Sequence, residues 1–163
     1  MTPEQAIRHL QRANAVARRA RDQLGRHPFG AILVAPDGET VLAEQGNVDT
    51  VNHAESVLAR TAALNYPGEY LGHCTLVTTV EPCAMCAGTQ YWAGIGRLVY
   101  GLSERRLLAL TGSHDDNPTM DLPCRTVFTA GQKTIEVIGP VAEVEEDIAA
   151  LHRDFWQAHP KDH

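Results

Sequence analysis

The sequence predicts an α/β fold on three observations. Two short apolar runs flank a Pro36-Asp37-Gly38 turn, which reads as a hairpin. Beyond it, strand-like runs alternate with stretches of helical period. The later strands are separated by helical crossovers rather than tight turns, which makes them parallel.

The elements follow in order. Ile7, Leu10, Asn14, Ala17 and Leu24 recur at helical spacing after Thr2-Pro3-Glu4-Gln5, a cap-like opening, so the first helix ends near Gly25. Phe29 to Ala35 is a buried strand, paired through the turn with a strand at about Thr40 to Gln45. His53 to Leu64 is helical, and the β-branched run Thr75 to Val80 is a strand. A helix begins at Pro82-Cys83, passes Tyr91-Trp92 and stops near Gly94, before a strand at Arg97 to Tyr100. A short helix fits Ser103 to Leu110. The polar, Pro-bearing stretch Gly112 to Pro123 is a loop long enough to suggest a function. Thr134 to Ile138 is the last strand, and Val141 to Trp156 an amphipathic helix with Val144, Ile148, Leu151 and Phe155 on one face.

The 163 residues suit one domain spanning 1–163, with a core that needs no disulfide staples. A composition 44% hydrophobic and 21% charged excludes disorder, and the longest nearly continuous apolar run, Phe29 to Ala35, is far too short to span a membrane. The N-terminus lacks a basic segment followed by an apolar run, so the expected location is the cytoplasm, with reduced thiols. Cys74, Cys83, Cys86 and Cys124 then read as reactive or metal-binding rather than as disulfides. The first 30 residues carry six Arg against Glu4 and Asp22, a balance of +4 that leaves −10 on the rest of a chain of net charge −6. A solvated helix face paired with acidic neighbours accounts for those arginines, and a nucleic-acid backbone is a poor partner for the remainder.

Chemistry concentrates in His53-Ala54-Glu55 and Glu81-Pro82-Cys83-Ala84-Met85-Cys86. Zinc favours imidazole nitrogen and thiolate sulfur, and the Cys83/Cys86 spacing sets both sulfurs on the opening turn of one helix, where the helix dipole helps them ionise. With His53 they make three ligands, leaving a fourth tetrahedral position for water, the mark of a catalytic zinc. Glu55 can point into the same cavity without binding the ion, as a proton carrier. H-x-E…P-C-x-x-C is the signature of zinc nucleobase deaminases, with Glu as general acid/base. The alternative is a closed structural zinc site completed by His73, Cys74, His114 or Cys124. Cys74 opens a strand and Cys124 follows a Pro near another, where free cysteines pack as small hydrophobes.

At these motifs, and at Pro28-Phe29-Gly30-Ala31, Tyr91-Trp92-Ala93 and Val99-Tyr100-Gly101, the chain resembles the cytidine deaminase superfamily, in the branch of guanine, cytosine and tRNA adenosine deaminases. The resemblance implies a three-layer α/β/α fold with a mixed five-stranded sheet whose last strands are parallel. It implies one Zn2+ per subunit at His53, Cys83 and Cys86, proton transfer by Glu55, and usually a homodimer. It also implies base contacts from Asn47, a pocket wall from Phe29, a pocket or dimer role for Trp92, and a terminal segment, about 141–163 with Phe155 and Trp156, covering an active site, in some members that of a partner subunit. Asp115 and Asp116 lie where guanine deaminases can carry an acid that reads the base. One departure is the short interval from Asn47 to His53, which alters the substrate loop relative to the tRNA enzymes.

The acidic balance and the lack of a basic tail favour a small nucleobase or nucleoside over RNA, and no membrane partner is expected. Guanine to xanthine is the first expectation, with cytosine, adenine, a nucleoside or an aminotriazine as other substrates. A tRNA adenosine deaminase and a non-catalytic zinc-containing nucleotide-binding subunit are the remaining alternatives; the intact Glu55 argues against the last.

Overall fold

The computed structural model describes residues 1–112 and 114–158; 159–163, the end of the terminal segment, lie outside the described residues. Helix α1 (Pro3–Leu24) opens on a capping box. The Gln5 N–H donates to Thr2 Oγ1 at 3.1 Å, and the Thr2 N–H donates to Gln5 Oε1 at 2.8 Å. It closes on Gly25 in the left-handed region, a conformation glycine adopts without strain. Strands β1 (Gly30–Val34) and β2 (Val41–Gly46) form the hairpin. The arginines of α1 reach onto it: Arg8 and Arg19 pair with Glu39 and Glu44 at 2.8 and 2.9 Å, and Arg12 also meets Glu44. These three arginines of α1 are thus matched within the chain.

Helix α2 (Ala54–Asn65) and the single turn α3 (Gly68–Leu71) lead to β3 (Thr75–Val80), then α4 (Ala84–Ala93) and β4 (Arg97–Leu102). Helices α5 (Glu104–Thr111) and α6 (Cys124–Thr129) precede β5 (Glu136–Ile138) and the terminal α7 (Ala142–Ala158). The five strands form one sheet in the order β2-β1-β3-β4-β5, antiparallel across β1 and parallel from β3 to β5. The expected mixed sheet with parallel final strands is what the chain forms.

Period-2 alternation feeds two cores. Ala31, Leu33, Leu76 and Leu98 face α2 and α4, with Leu58 and Ala59 among their partners. Ile32, Val34, Val77 and Val99 face α1 and α7, packing with Leu10, Ala13 and Ile148. Both faces being covered, β1 and β3 are buried at every position. Gly30 lets α1 lie against the sheet, since a Cβ there would stand 2.6 Å from the Ala17 nitrogen.

Three expectations change. Cys124 does not adjoin a strand; it opens α6, a helix of under two turns that leaves no readable period. The one-turn α3 escapes the sequence for the same reason. The last strand is shorter than Thr134 to Ile138, because only Glu136, Val137 and Ile138 find partners on β4. Among the described residues no helix is long and apolar enough to cross a membrane.

Candidate active site

Two helix N-termini converge beyond the C-terminal end of β3. His53 is the N-cap of α2 and Cys83 the N-cap of α4, with Cys86 in the first turn of α4. His53 Nδ1 lies 3.6 Å from Cys83 Sγ and 3.5 Å from Cys86 Sγ. A tetrahedral zinc with bonds of about 2.3 Å to sulfur and about 2.0–2.1 Å to nitrogen requires N···S edges of about 3.6 Å, so the donors already stand at coordination spacing. His53 Nε2 lies 3.0 Å from the Thr50 carbonyl, which only accepts. The ring proton therefore sits on Nε2, and the Nδ1 lone pair is directed at the two sulfurs. Among the described residues these three form the one candidate metal-holding group. Cys74 instead donates to the Tyr70 carbonyl at 3.5 Å, and Cys124 is buried with its thiol pushed up to about 12, chiefly by burial.

The two metal-facing sulfurs divide their protons unequally. Cys83 is held down at about 4, chiefly because the Cys86 S–H donates to it, with the Cys86 amide and His53 adding to the effect. Cys86 keeps its proton more tightly for the same reason and through burial. The Cys83 sulfur in turn raises His53. A soft cation that displaces these protons would be held by two thiolates and one neutral imidazole.

Glu55, the second residue of α2, turns into the same space and is 5% exposed. Thr78, in the middle of β3, donates its hydroxyl to Glu55 Oε1 at 2.6 Å. Burial raises the carboxyl and the Thr78 bond restrains that rise. A carboxyl raised above the ordinary acid range, beside a metal site but outside its donor group, is placed to exchange protons with a group bound there.

The space these groups share is a cavity of about 440 Å³, within the range that takes small ligands. Phe29 and Asn47 stand on its wall, Asp115 and Asp116 come in from the loop after α5, and His53, Glu55 and Cys83 line it as well. The Asn47 amide donates to the Asp49 carbonyl at 3.2 Å, which orients the side chain.

Trp92 does not join them. Cys86 and Gln90 face the interior of α4, and a residue two beyond Gln90 is rotated by about 200°, so Trp92 points outward and is 80% exposed. Phe155 and Trp156 are buried behind the wall rather than over the cavity. Their ring centroids lie 5.5 and 5.0 Å from His27, whose ring lines the cavity. Trp156 also packs at 4.6 Å on His114, whose Nδ1 accepts the Asp116 amide at 3.2 Å. The terminal helix thus braces the loop that carries the two aspartates.

Three further acidic or hydroxyl groups matter, of which only Glu81 falls within a motif, and there without a role assigned to it. Thr78 holds Glu55. Glu81 accepts the Glu104 amide at 3.0 Å and the Cys124 amide at 2.9 Å, tying the starts of α5 and α6 to the metal loop. Glu104 lines the cavity, and the signal available for it was its place just past the C-terminal end of β4, where open α/β sheets gather ligand-binding groups.

Comparison with known proteins agrees with this geometry. Residues 3–102, which include both donor motifs, match the family described as "Cytidine and deoxycytidylate deaminase zinc-binding region". A probable cytosine deaminase of Schizosaccharomyces pombe is 34% identical over 156 residues, covering 94% of this chain and 93% of that one. The guanine deaminase of Bacillus subtilis is 43% identical over 70 residues, 40% of this chain and 44% of its own. A solved guanine deaminase from Nitrosomonas europaea shares the fold at a TM-score of 0.68 and 21% identity, with 91% of this chain and 83% of that one covered. With a family match across more than half its length and a full-length relative above 30% identity, the chain belongs to the cytidine and deoxycytidylate deaminase zinc-binding family.

Proposed function

We propose that the chain, as a single deaminase domain, hydrolyses the exocyclic amine of a small free heterocycle, guanine to xanthine first. The observation that carries this reading is the carboxyl lining of the cavity: Glu55, Glu81, Glu104, Asp115 and Asp116 stand on it, and among the described residues no Lys or Arg does. Such a wall suits a base rich in N–H donors and opposes a phosphate backbone. Guanine presents adjacent ring N–H and amino donors that one carboxylate can accept together. The likeness to the B. subtilis guanine deaminase supports this choice, and the full-length likeness to a probable cytosine deaminase supports cytosine as the second reading.

His53, Cys83 and Cys86 would hold one Zn2+ per subunit, which when bound supplies an acidified water as the nucleophile. Glu55 takes the proton of that nucleophile as it adds to the carbon bearing the amine. The same carboxyl delivers that proton to the ring nitrogen, then takes the proton of the added hydroxyl and passes it to the departing amine, so that a carbonyl replaces the C–N bond and ammonia leaves. Phe29 and Asn47 would orient the ring, and Asp115 or Asp116 would read its donors. A homodimer in the cytoplasm completes the reading, drawn from the resemblance and from the reduced state that the metal-facing thiols require.

The test is an ammonia-release screen of the zinc-loaded protein over guanine, cytosine, adenine, their nucleosides, aminotriazines and a tRNA anticodon stem-loop. Saturable release from guanine supports the proposal. Activity on the stem-loop with none on free bases or nucleosides overturns it.

A further inference from the structure

Glu104 is an acid whose position is not explained by the helix it opens. First-turn acids ordinarily face water and interact with the helix dipole, whereas this one turns inward, is 4% exposed and lines the cavity. Capping does not occupy it. Ser103 Oγ already accepts the Arg106 amide at 3.1 Å, and the Glu104 amide is taken by Glu81. Glu104 Oε2 is buried with no hydrogen-bond partner among the described residues. An apolar side chain would fill this place without leaving a polar atom unpaired, so the carboxyl awaits a partner from outside the chain.

We infer that Glu104 is a further substrate-reading residue, its carboxyl hydroxyl donating to a ring-nitrogen or carbonyl acceptor of the bound heterocycle. The surroundings select this polarity. The carboxyl is 4% exposed with Oε2 unpaired, and burial, the largest cause, pushes it up to about 9, so it stands as a neutral acid with a hydroxyl to donate. Asp115 and Asp116 are acceptors for the donor edge of a base, and Glu104 is the complementary donor for its O6 or N7. The inference rests on the proposal of a free heterocyclic substrate and adds a second edge to what the site recognises.

The experiment compares parent, Glu104→Gln and Glu104→Leu on guanine, on 7-deazaguanine, which lacks N7, and on 2-aminopurine, which lacks O6, with zinc content measured for each protein. Expected is a rise of at least about tenfold in KM for guanine in Glu104→Leu, with zinc retained and Glu104→Gln within about threefold of the parent. On one of the two analogues, parent and Glu104→Leu should have the same kcat/KM, because the acceptor is already gone. Equal losses on all three heterocycles would show a merely structural role and overturn the inference, as would no loss on guanine. Glu104→Ala carries the same comparison if Glu104→Leu does not fold. A parent inactive on guanine removes the guanine reading rather than the role of Glu104. The series then moves to the best substrate of the screen and its acceptor-deleted analogues, where a loss that survives every deletion overturns the inference.

Discussion

Thr78 is a small residue with a large influence on the proposed proton carrier. Its hydroxyl donates to the buried Glu55 carboxyl at 2.6 Å and so favours the ionised form against burial. The proposed step needs Glu55 as a base, so kcat/KM rises with pH through the Glu55 ionisation. Thr78→Val removes the donor, raises Glu55 further and moves that acid limb to higher pH; pH profiles of kcat/KM that superimpose would refute the coupling. At the other end of the cavity, the aspartates give a separate expectation. Asp115→Asn or Asp116→Asn should lower kcat/KM on guanine by at least about tenfold, or about 1.4 kcal/mol, while zinc content stays parental. Steady-state kinetics with metal analysis decides it, and parental activity in both variants contradicts the reading of the loop.

Helix α7 carries the clearest stability prediction. His152 is fully buried on it, accepts from Trp156 Nε1 at 3.3 Å and packs on Phe29 at 4.9 Å. Burial, with His27 and Arg21 nearby, lowers this imidazole from the ordinary 6.5 to about 3. The unfolded chain therefore takes up a proton at this residue across that window and the folded chain does not, so the site costs stability as pH falls from 6.5 toward 3. His152→Gln keeps an acceptor for Trp156 without the ionisation. Relative to the variant, the parent should lose about 2–3 kcal/mol of unfolding free energy between pH 6.5 and pH 4.5. Urea titrations at the two pH values measure this, and parallel changes in the two proteins would contradict it.

The same elements show what could be read in advance. The candidate metal donors His53, Cys83 and Cys86, and Glu55 beside them, could be singled out in the sequence because each lies at a helix start, where two or three residues of local spacing determine direction. Thr78, Glu81 and Glu104 were not, since their roles arise from contacts between segments far apart in the chain. Trp92 shows the converse: its place on the metal helix suggested a pocket or dimer role, and helical rotation carries it to the outside, away from the pocket. Phe155 and Trp156 were expected over the site and instead stand behind its wall, because α7 packs along the sheet with its apolar face inward.

Over the whole molecule, charge is sorted by position. Arg8, Arg12 and Arg19 of α1 are matched by the β1–β2 hairpin, and acidic residues line the cavity where His53, Cys83 and Cys86 stand at coordination spacing. A cation can be held there and a donor-rich base admitted, with Glu55 placed to move protons between them. This division of labour separates metal binding from turnover. The most direct measurement is ammonia release from the best heterocycle by parent and Glu55→Ala proteins, each with its bound zinc quantified. The account predicts one zinc per chain in both, and release by the parent alone. Comparable turnover in Glu55→Ala at equal zinc content would contradict it.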